Sequence, residues 1–189
     1  RRQNPLKSQN KKAAEFSAAF LLTQKKAIDR INIKRGEQMG TLQVSIYDMV
    51  PDEAVTFVVI VCRYRGKWMF AKHKERDTFE IPGGHRETGE TLYQTACREL
   101  CEETGAILYE IMPICYYSVL GKTRVTPTGA RSFGQLFFAD ISQLGTIRSE
   151  IEKVELFDGL PQNLTYPQIQ PVLFEEATKY IDQKEKHCL

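Results

Sequence analysis

Residues Gly84 to Ala106, GHRETGETLYQTACRELCEETGA, decide the interpretation of the whole chain. Three glutamates in this stretch, Glu99, Glu102 and Glu103, fall within one narrow arc of a helix at about 100° per residue. Carboxylates on one stripe repel one another, which a helix built only for stability would avoid. A hard divalent cation with oxygen ligands relieves this repulsion, and Mg²⁺ suits carboxylates combined with substrate phosphates. The stripe therefore predicts a magnesium site.

The sequence also marks both ends of this helix. Thr91 is a good N-cap residue, and Gln94 three positions later completes a capping box. Gly105 can adopt the left-handed conformation that ends many helices. The side chains on roughly the opposite face from the glutamates are predicted to be buried: Tyr93, Ala96, Cys97, Leu100 and Thr104. One face of the helix should then pack in the core while the acidic face borders a cleft.

This stretch resembles the signature of the Nudix hydrolases, G-x5-E-x7-R-E-U-x-E-E-x-G-U, in which U is a bulky aliphatic residue. The fixed positions are matched by Gly84, Glu90, Arg98, Glu99, Glu102, Glu103 and Gly105. Leu100 matches the first aliphatic position, whereas Ala106 is smaller than the family's usual residue at the last. At average residue usage each fixed identity has about a one-in-fifteen chance, so the combined match is not an accident.

The resemblance implies the α/β/α sandwich of the Nudix fold, a mixed sheet between helices, over about residues 41–183. Sequence patterns predict strands at 41–47, 54–63, 68–73, 79–81, 107–120, 132–141 and 153–157. Gly83 and Gly84 are predicted to form a tight turn near a ligand. Pro167 is predicted to lie in the first turn of a final helix, followed by a frayed tail at 184–189. The apolar stripe of that helix is Ile169, Val172, Leu173, Ala177, Tyr180 and Ile181.

Charge divides the chain into a predicted N-terminal extension, residues 1–38, and a Nudix hydrolase domain, residues 39–189. The extension holds ten Lys/Arg against three Asp/Glu. Its apolar residues recur at helical spacing, which fits a peripheral helix, a membrane-surface helix or a presequence. Met39 could be the original start. The rest of the chain is mildly acidic, so no stable nucleic-acid partner is expected.

The five cysteines have no metal-binding or redox spacing. Their odd number, with no clear secretion signal, fits reduced thiols, and we expect a cytoplasmic location. No apolar run is long enough to span a membrane.

The resemblance assigns roles to the signature residues. Glu99, Glu102 and Glu103 are expected to bind Mg²⁺, with Mn²⁺ as an alternative ion, together with the carbonyl oxygen of Gly83. Arg98 is expected to point away from the acidic stripe and to orient a carboxylate, that of Glu99. The general base is expected to be either Glu99 or Glu102.

Three further roles complete the predicted site. Glu90 is expected to have a structural or electrostatic role near the positive end of the helix. The resemblance also implies one more metal-binding glutamate from a later loop; of Glu150 and Glu152 we favour Glu150, although a solvated surface glutamate is nearly as compatible. Lys72 and His73 are predicted to meet the substrate beside Gly84, although a solvated lysine and a hydrogen-bonded edge histidine are equally compatible. Two aromatic side chains are candidates for stacking a base or for the core: Phe79 and Tyr117.

The predicted activity is the hydrolysis of a nucleoside diphosphate linked to another group. Residues 62–84 resemble the equivalent segment of bacterial Nudix proteins that include nucleoside triphosphate diphosphatases of MutT type. We therefore expect a nucleoside triphosphate substrate, 8-oxo-dGTP being one candidate, cleaved to the monophosphate and pyrophosphate. ADP-ribose, a dinucleotide or an RNA 5′ end are alternative substrates, and a non-catalytic nucleotide sensor is an alternative of another class. Because such sensors usually lack a signature carboxylate and this chain keeps them all, we favour an enzyme.

Overall fold

The computed structural model of the protein describes residues 42–147 and 149–187. The predicted N-terminal extension, residues 1–38, lies outside these ranges. The strands, in chain order, are β1 (Gln43–Tyr47), β2 (Val55–Tyr64), β3 (Lys67–His73), β4 (Phe79–Glu80), β5 (Gly83–His85), β6 (Ala106–Leu120), β7 (Ser132–Leu144) and β8 (Ile151–Phe157). The helices are α1 (Leu92–Thr104) and α2 (Gln170–His187), and a short 3₁₀ turn spans Asp52–Ala54.

The strands form one mixed sheet in the order β1-β6-β7-β2-β3-β4, in which β5 pairs with β2 and β8 pairs with β3. Strand β2 runs parallel to β7, and the other strand pairs are antiparallel. Because side chains alternate along a strand, β2 supplies two different cores. Val58 and Ile60 pack with residues of α1, whereas Val59 and Val61 pack with residues of α2. The predicted α/β/α sandwich is therefore confirmed.

Helix α1 begins and ends where the sequence predicts. The Gln94 amide N–H donates to Thr91 Oγ1 over 3.2 Å, and the Thr91 amide N–H donates to Gln94 Oε1 over 2.8 Å. Gly105 ends the helix at φ 72°, in the left-handed region. These local contacts fix the helix in register and therefore fix which way its glutamates face.

The predicted buried face of α1 is partly wrong. Tyr93 is 52% exposed, whereas the neighbouring Leu92 is buried. The fully buried positions are Leu92, Thr95, Ala96, Leu100 and Thr104. Residues three to four apart in this set share the face that packs on the sheet, and Tyr93 lies one helical step of about 100° beyond Leu92.

The C-terminal helix also differs from the prediction. Helix α2 begins at Gln170, so Pro167 lies in the preceding turn, where the amides of Ile169 and Gln170 both donate to the Tyr166 carbonyl. Pro171 lies in the first turn of the helix instead. Proline is tolerated there because the backbone N–H that it lacks has no acceptor within the helix at that position. The helix continues to His187, so residues 184–187 do not form the predicted frayed tail.

The predicted glycine turn is a short strand. Gly83 and Gly84 belong to β5 and pair with Val59 and Val58 of β2. A Cβ atom at Gly83 would overlap the carbonyl oxygen of Val58. Glycine is required here because β5 lies too close to β2 for a side chain, rather than because the chain turns.

This close approach gives a stability prediction. We expect Gly83→Ala to lower the free energy of unfolding by about 1–3 kcal/mol, because the added methyl group meets backbone that cannot yield without shifting β2. Gly159→Ala is the matched control, since nothing lies within 4 Å of the equivalent atom there. Urea unfolding of both variants measures the difference. Equal stabilities for the two variants would contradict the close packing of β5 on β2.

Candidate active site

A cavity of about 620 Å³ lies beside β5 and the acidic face of α1. Its walls include the segment that leads into α2, and its surface is partly apolar. Of the predicted site residues, those that line it are His73, Gly83, Gly84, Arg98, Glu99, Glu103, Tyr117 and Glu150. The cavity is thus bounded by the signature on one side and by distant segments of the chain on the other.

The carboxylate of Glu99 lies directly over Gly84. A Cβ atom at Gly84 would overlap the Glu99 carboxylate, so the second glycine of β5 leaves the space that this side chain fills. The Glu99 side chain is only 12% exposed. Burial raises the pKa of Glu99, and the hydrogen bond and charge of Arg98 oppose that rise.

Glu103 is the most strongly perturbed carboxyl group of the site. Its Oε2 accepts a hydrogen bond from the Gly83 amide over 2.9 Å. Burial nevertheless raises the pKa of Glu103 to about 8, and the charges of Glu99, Glu80 and Glu150 act in the same direction. The hydrogen bond from Gly83 only partly offsets these effects. Among the residues that the structure describes, no cation forms a salt bridge with this largely buried carboxyl group.

Arg98 connects the other carboxylates. Its Nη1 donates to Glu99 over 2.8 Å and to Glu102 over 3.3 Å, and its Nη2 donates to the carbonyl of His85. Its Nε and Nη2 donate to the two oxygens of Glu90 over 2.8 and 3.0 Å. The prediction that Arg98 points away from the acidic stripe is wrong, because its long side chain brings the guanidinium back across the turn. Its hydrogen bond to Glu99 agrees with the orienting role.

Glu90 holds Arg98 in this position. Besides Arg98, it accepts hydrogen bonds from Thr95 Oγ1 and from the Glu87 amide. Chiefly through its hydrogen bonds to Arg98, the pKa of Glu90 falls to about 2. Glu90 is absent from the cavity lining, so its role is to fix the guanidinium that in turn contacts Glu99 and Glu102.

The structure separates the remaining predicted residues. His73 lines the cavity, and its Nδ1 accepts from the Glu75 amide, so the neutral ring carries its proton on Nε2. Lys72 does not line the cavity, because its ammonium group is paired with Glu152 and Asp77 at 2.8 and 3.3 Å. The substrate site proposed below therefore excludes Lys72.

Of the two candidate loop glutamates and the two candidate aromatic residues, one of each pair lines the cavity and the other does not. Glu150 lines the cavity, whereas Glu152 is bound to Lys72 on the neighbouring strand. Tyr117 lines the cavity, whereas Phe79 packs against Phe157 in the core. The structure thus brings one member of each pair to the cavity.

The donor atoms of the acidic face fit a hard divalent cation. Glu99, Glu102 and Glu103 offer only carboxylate oxygens, and the charge of buried Glu103 is not balanced, which suits Mg²⁺ or Mn²⁺. Over residues 42–147 and 149–187, no three His, Cys, Asp or Glu side chains already form a cluster that could hold a metal ion. The carboxylates instead contact Arg98 and the Gly83 amide.

Sequence reasoning missed a second polar group in the cavity wall. Arg76 and Glu80 line the cavity and form an ion pair, with Nη1 at 3.0 and 2.7 Å from the two carboxylate oxygens. Arg76 lies in a loop and Glu80 at the end of a two-residue strand. Both residues lie in the segment 62–84 that resembles MutT-type proteins, but that resemblance assigns them no role, and it is their joint position beside the cavity that identifies them.

Comparison with known proteins identifies the family. Residues 44–173 match the NUDIX domain. The chain is 35% identical over 128 residues to a Bacillus subtilis (strain 168) protein named "Putative 8-oxo-dGTP diphosphatase YtkD", covering 67% of this chain and 77% of that protein.

Solved structures show the same fold. The Bacillus subtilis pyrophosphohydrolase BsRppH, solved as a mutant, superposes with a TM-score of 0.59 at 27% identity, covering 74% of this chain and 90% of that one. The NUDIX domain of Shewanella oneidensis NrtR in complex with ADP ribose superposes with a TM-score of 0.55 at 20% identity, covering 67% and 88%. No helix among the residues described is long and apolar enough to cross a membrane.

The Glu90–Arg98 contact gives a pH prediction. Arg98 lowers the pKa of Glu90 in the folded protein. The ionised Glu90 therefore stabilises the folded state fully above its unfolded pKa of about 4.3, and this stabilisation is lost as the pH falls toward about 2. We expect Arg98→Gln to return the pKa of Glu90 toward the ordinary value. Side-chain carboxyl chemical shifts followed by NMR through an acid titration measure both values. An unchanged Glu90 titration in the variant would show that Arg98 is not the cause.

Proposed function

This chain belongs to the Nudix hydrolase family, and we propose that it cleaves a nucleoside triphosphate to the monophosphate and pyrophosphate with Mg²⁺ at the acidic face of α1. As a Nudix hydrolase it acts on phosphoric anhydride bonds. The observation that carries the metal-dependent part is the position of two largely buried carboxyl groups, Glu99 and Glu103, in the cavity wall, where Arg98 pairs with Glu99 and not with Glu103. The name of the Bacillus subtilis relative supports a triphosphate, with 8-oxo-dGTP as the first candidate.

The chain's own residues divide the work between binding and orientation. Glu99, Glu102, Glu103 and the carbonyl of Gly83 would hold Mg²⁺, with Glu150 as the added ligand from the loop before β8. Bound Mg²⁺ would neutralise phosphate charge and lower the pKa of a coordinated water. The remaining requirement is positioning, which phosphoryl transfer depends on strongly.

Arg98 and His73 are the proposed positioning groups. Arg98, itself fixed by Glu90, contacts both Glu99, which lines the cavity, and the more exposed Glu102, which does not. His73 Nε2–H can donate to a phosphate oxygen, because Nδ1 already accepts from the backbone. Of the two candidate bases, we favour Glu99, since it lines the cavity and burial raises its proton affinity.

Reduced thiols support a reducing compartment. Cys62, Cys97, Cys101 and Cys115 are all free cysteines. We therefore propose a cytoplasmic location, where thiols stay reduced and nucleoside triphosphates are present.

A product analysis tests the proposed reaction. We expect Mg²⁺-dependent release of pyrophosphate and a nucleoside monophosphate from at least one member of a panel containing 8-oxo-dGTP, the four common deoxynucleoside triphosphates, ADP-ribose and a diadenosine polyphosphate. Initial rates with product separation measure the preference. Hydrolysis of ADP-ribose or of the dinucleotide alone would overturn the triphosphate proposal while leaving the metal site intact.

Substitution of Glu102 tests the metal-binding face. We expect Glu102→Gln to lower kcat by about 100-fold or more, because one oxygen ligand and one negative charge are lost. Glu175→Gln is the matched control, since Glu175 also forms an i,i+4 ion pair on a helix, with Lys179 at 2.8 Å. Full activity of the Glu102 variant would remove Glu102 from the site.

Metal removal should change stability in a way that depends on Glu103. Mg²⁺ at millimolar concentration should raise the Tm of the natural protein, because a ligand that binds only the folded state stabilises it. At pH 9, above the pKa of about 8 that burial gives Glu103, Glu103→Gln should raise the Tm of the metal-free protein, since a buried charge is removed, and should weaken the response to Mg²⁺. Differential scanning fluorimetry with EDTA or MgCl₂ measures both effects. An equal Mg²⁺ response in the variant would exclude Glu103 as a ligand.

A further inference from the structure

Part of the cavity is not explained by phosphate chemistry. Arg76, Glu80 and Tyr166 contribute to its lining, as does Tyr117 of β6. Tyr117 and Tyr166 make no hydrogen bond through their hydroxyl groups to any residue that the structure describes. These groups offer hydrogen-bonding capacity to a ligand, and the proposed metal site uses none of them.

The Arg76–Glu80 pair is costly for a purely structural contact. The Arg76 and Glu80 side chains are only 20% and 12% exposed. Burial raises the pKa of Glu80, while the charge of Arg76 acts against that rise. Arg76 Nε is buried without a hydrogen-bond partner in ranges 42–147 and 149–187. Because taking an ion pair out of water gains little stability, such a pair at a cavity wall is better explained by recognition.

Gly134 leaves space for the hydroxyl end of Tyr117. Tyr117 is 5% exposed and lies opposite Gly134 in the β6–β7 ladder. A Cβ atom at Gly134 would overlap the hydroxyl end of Tyr117, so any other residue there would displace it. The cavity wall is therefore shaped to hold this hydroxyl group in place.

The cavity surface also includes apolar side chains that suit a flat ring. Val59, Ile81, Val119 and Leu173 come from two strands, the segment before β5 and helix α2. Ligand sites commonly combine such an apolar surface with a few fixed polar groups that give orientation and specificity.

On the basis of the function proposed above, we propose that Glu80, oriented by Arg76, together with the Tyr117 hydroxyl binds the nucleoside part of the substrate and selects a guanine-type base. Guanine presents two adjacent donors on its pairing edge, the ring N1–H and the 2-amino group. An ionised carboxylate has about four acceptor sites on its two oxygens, so Glu80 can receive both bonds from guanine while its oxygens also accept from Arg76. Adenine, cytosine and thymine do not present two adjacent donors there, so the carboxylate discriminates against them.

The test compares two substrates that differ by one amino group. The natural protein should have a kcat/KM for dGTP about 10- to 100-fold above that for dITP, which lacks the 2-amino group, because a hydrogen bond to a charged acceptor is lost. In Glu80→Gln this ratio should fall toward one through loss of dGTP hydrolysis, while dITP is affected much less. The relative rate with dATP should rise, since an amide can both donate to and accept from adenine.

Glu155→Gln is the matched control, because Glu155 is also a strand glutamate paired with a cation, Lys153, and does not line the cavity. It should keep the dGTP preference of the natural protein. An unchanged dGTP-to-dITP ratio in Glu80→Gln would overturn base selection by Glu80. Failure of the natural protein to hydrolyse any nucleoside triphosphate would instead overturn the function on which the inference rests.

Tyr117→Phe provides a test that does not depend on the stability of the Glu80 variant. Since the hydroxyl makes no hydrogen bond to the described residues, its removal should leave the Tm unchanged or raise it. The KM for dGTP should rise about threefold to tenfold, because the hydroxyl bonds only when substrate is present. A fall in Tm with an unchanged KM would show that Tyr117 is structural and would overturn its place in the subsite.

Discussion

The active cavity depends on the close packing of two glycines of β5 against the carboxylates of α1. Gly83 can approach β2 only without a side chain, and its amide then reaches Glu103 at 2.9 Å. Gly84 leaves the volume that the Glu99 carboxylate fills. One backbone segment therefore fixes two acidic side chains, and it does so through sterics and one hydrogen bond rather than through flexible contacts. The capped ends of α1 are what keep those side chains in register with β5.

The same packing concentrates negative charge, and the protein compensates only part of it. Arg98 contacts Glu90, Glu99 and Glu102, whereas within residues 42–147 and 149–187 the donor to Glu103 is the backbone amide of Gly83. The contrast in pKa follows directly: Glu90, beside the guanidinium, falls to about 2, whereas buried Glu103 rises to about 8. Glu103 lines the cavity, whereas Glu90 does not. The uncompensated charge is thus located where a substrate-bound metal would meet it.

Features encoded by neighbouring residues could be predicted from the sequence. Thr91, Gln94 and Gly105 define α1 through contacts a few residues apart, and the β-branched run of β2 marks a central strand. Predictions failed where distant packing decides the result. Whether Gly83 forms a turn or a strand depends on β2, and the direction of the Arg98 guanidinium depends on a glutamate eight residues away. The side chain of Lys72 pairs with Glu152 of another strand, a contact that no local pattern predicts.

The metal side of the cavity is built from residues close together in sequence, whereas the proposed base side is not. This difference explains why the family could be predicted before the substrate. The residues proposed for the metal lie mostly within one continuous stretch, so a spacing pattern reveals them. The residues proposed for the base come from a loop and two strands, and only the fold brings Tyr117 to the same cavity as Arg76 and Glu80. Because Glu80 and Tyr117 lie outside α1, the proposed base selection predicts that substitutions there change base preference without disturbing the acidic face of that helix. If both proposals hold, the reaction depends mainly on the signature and the base preference on residues outside it.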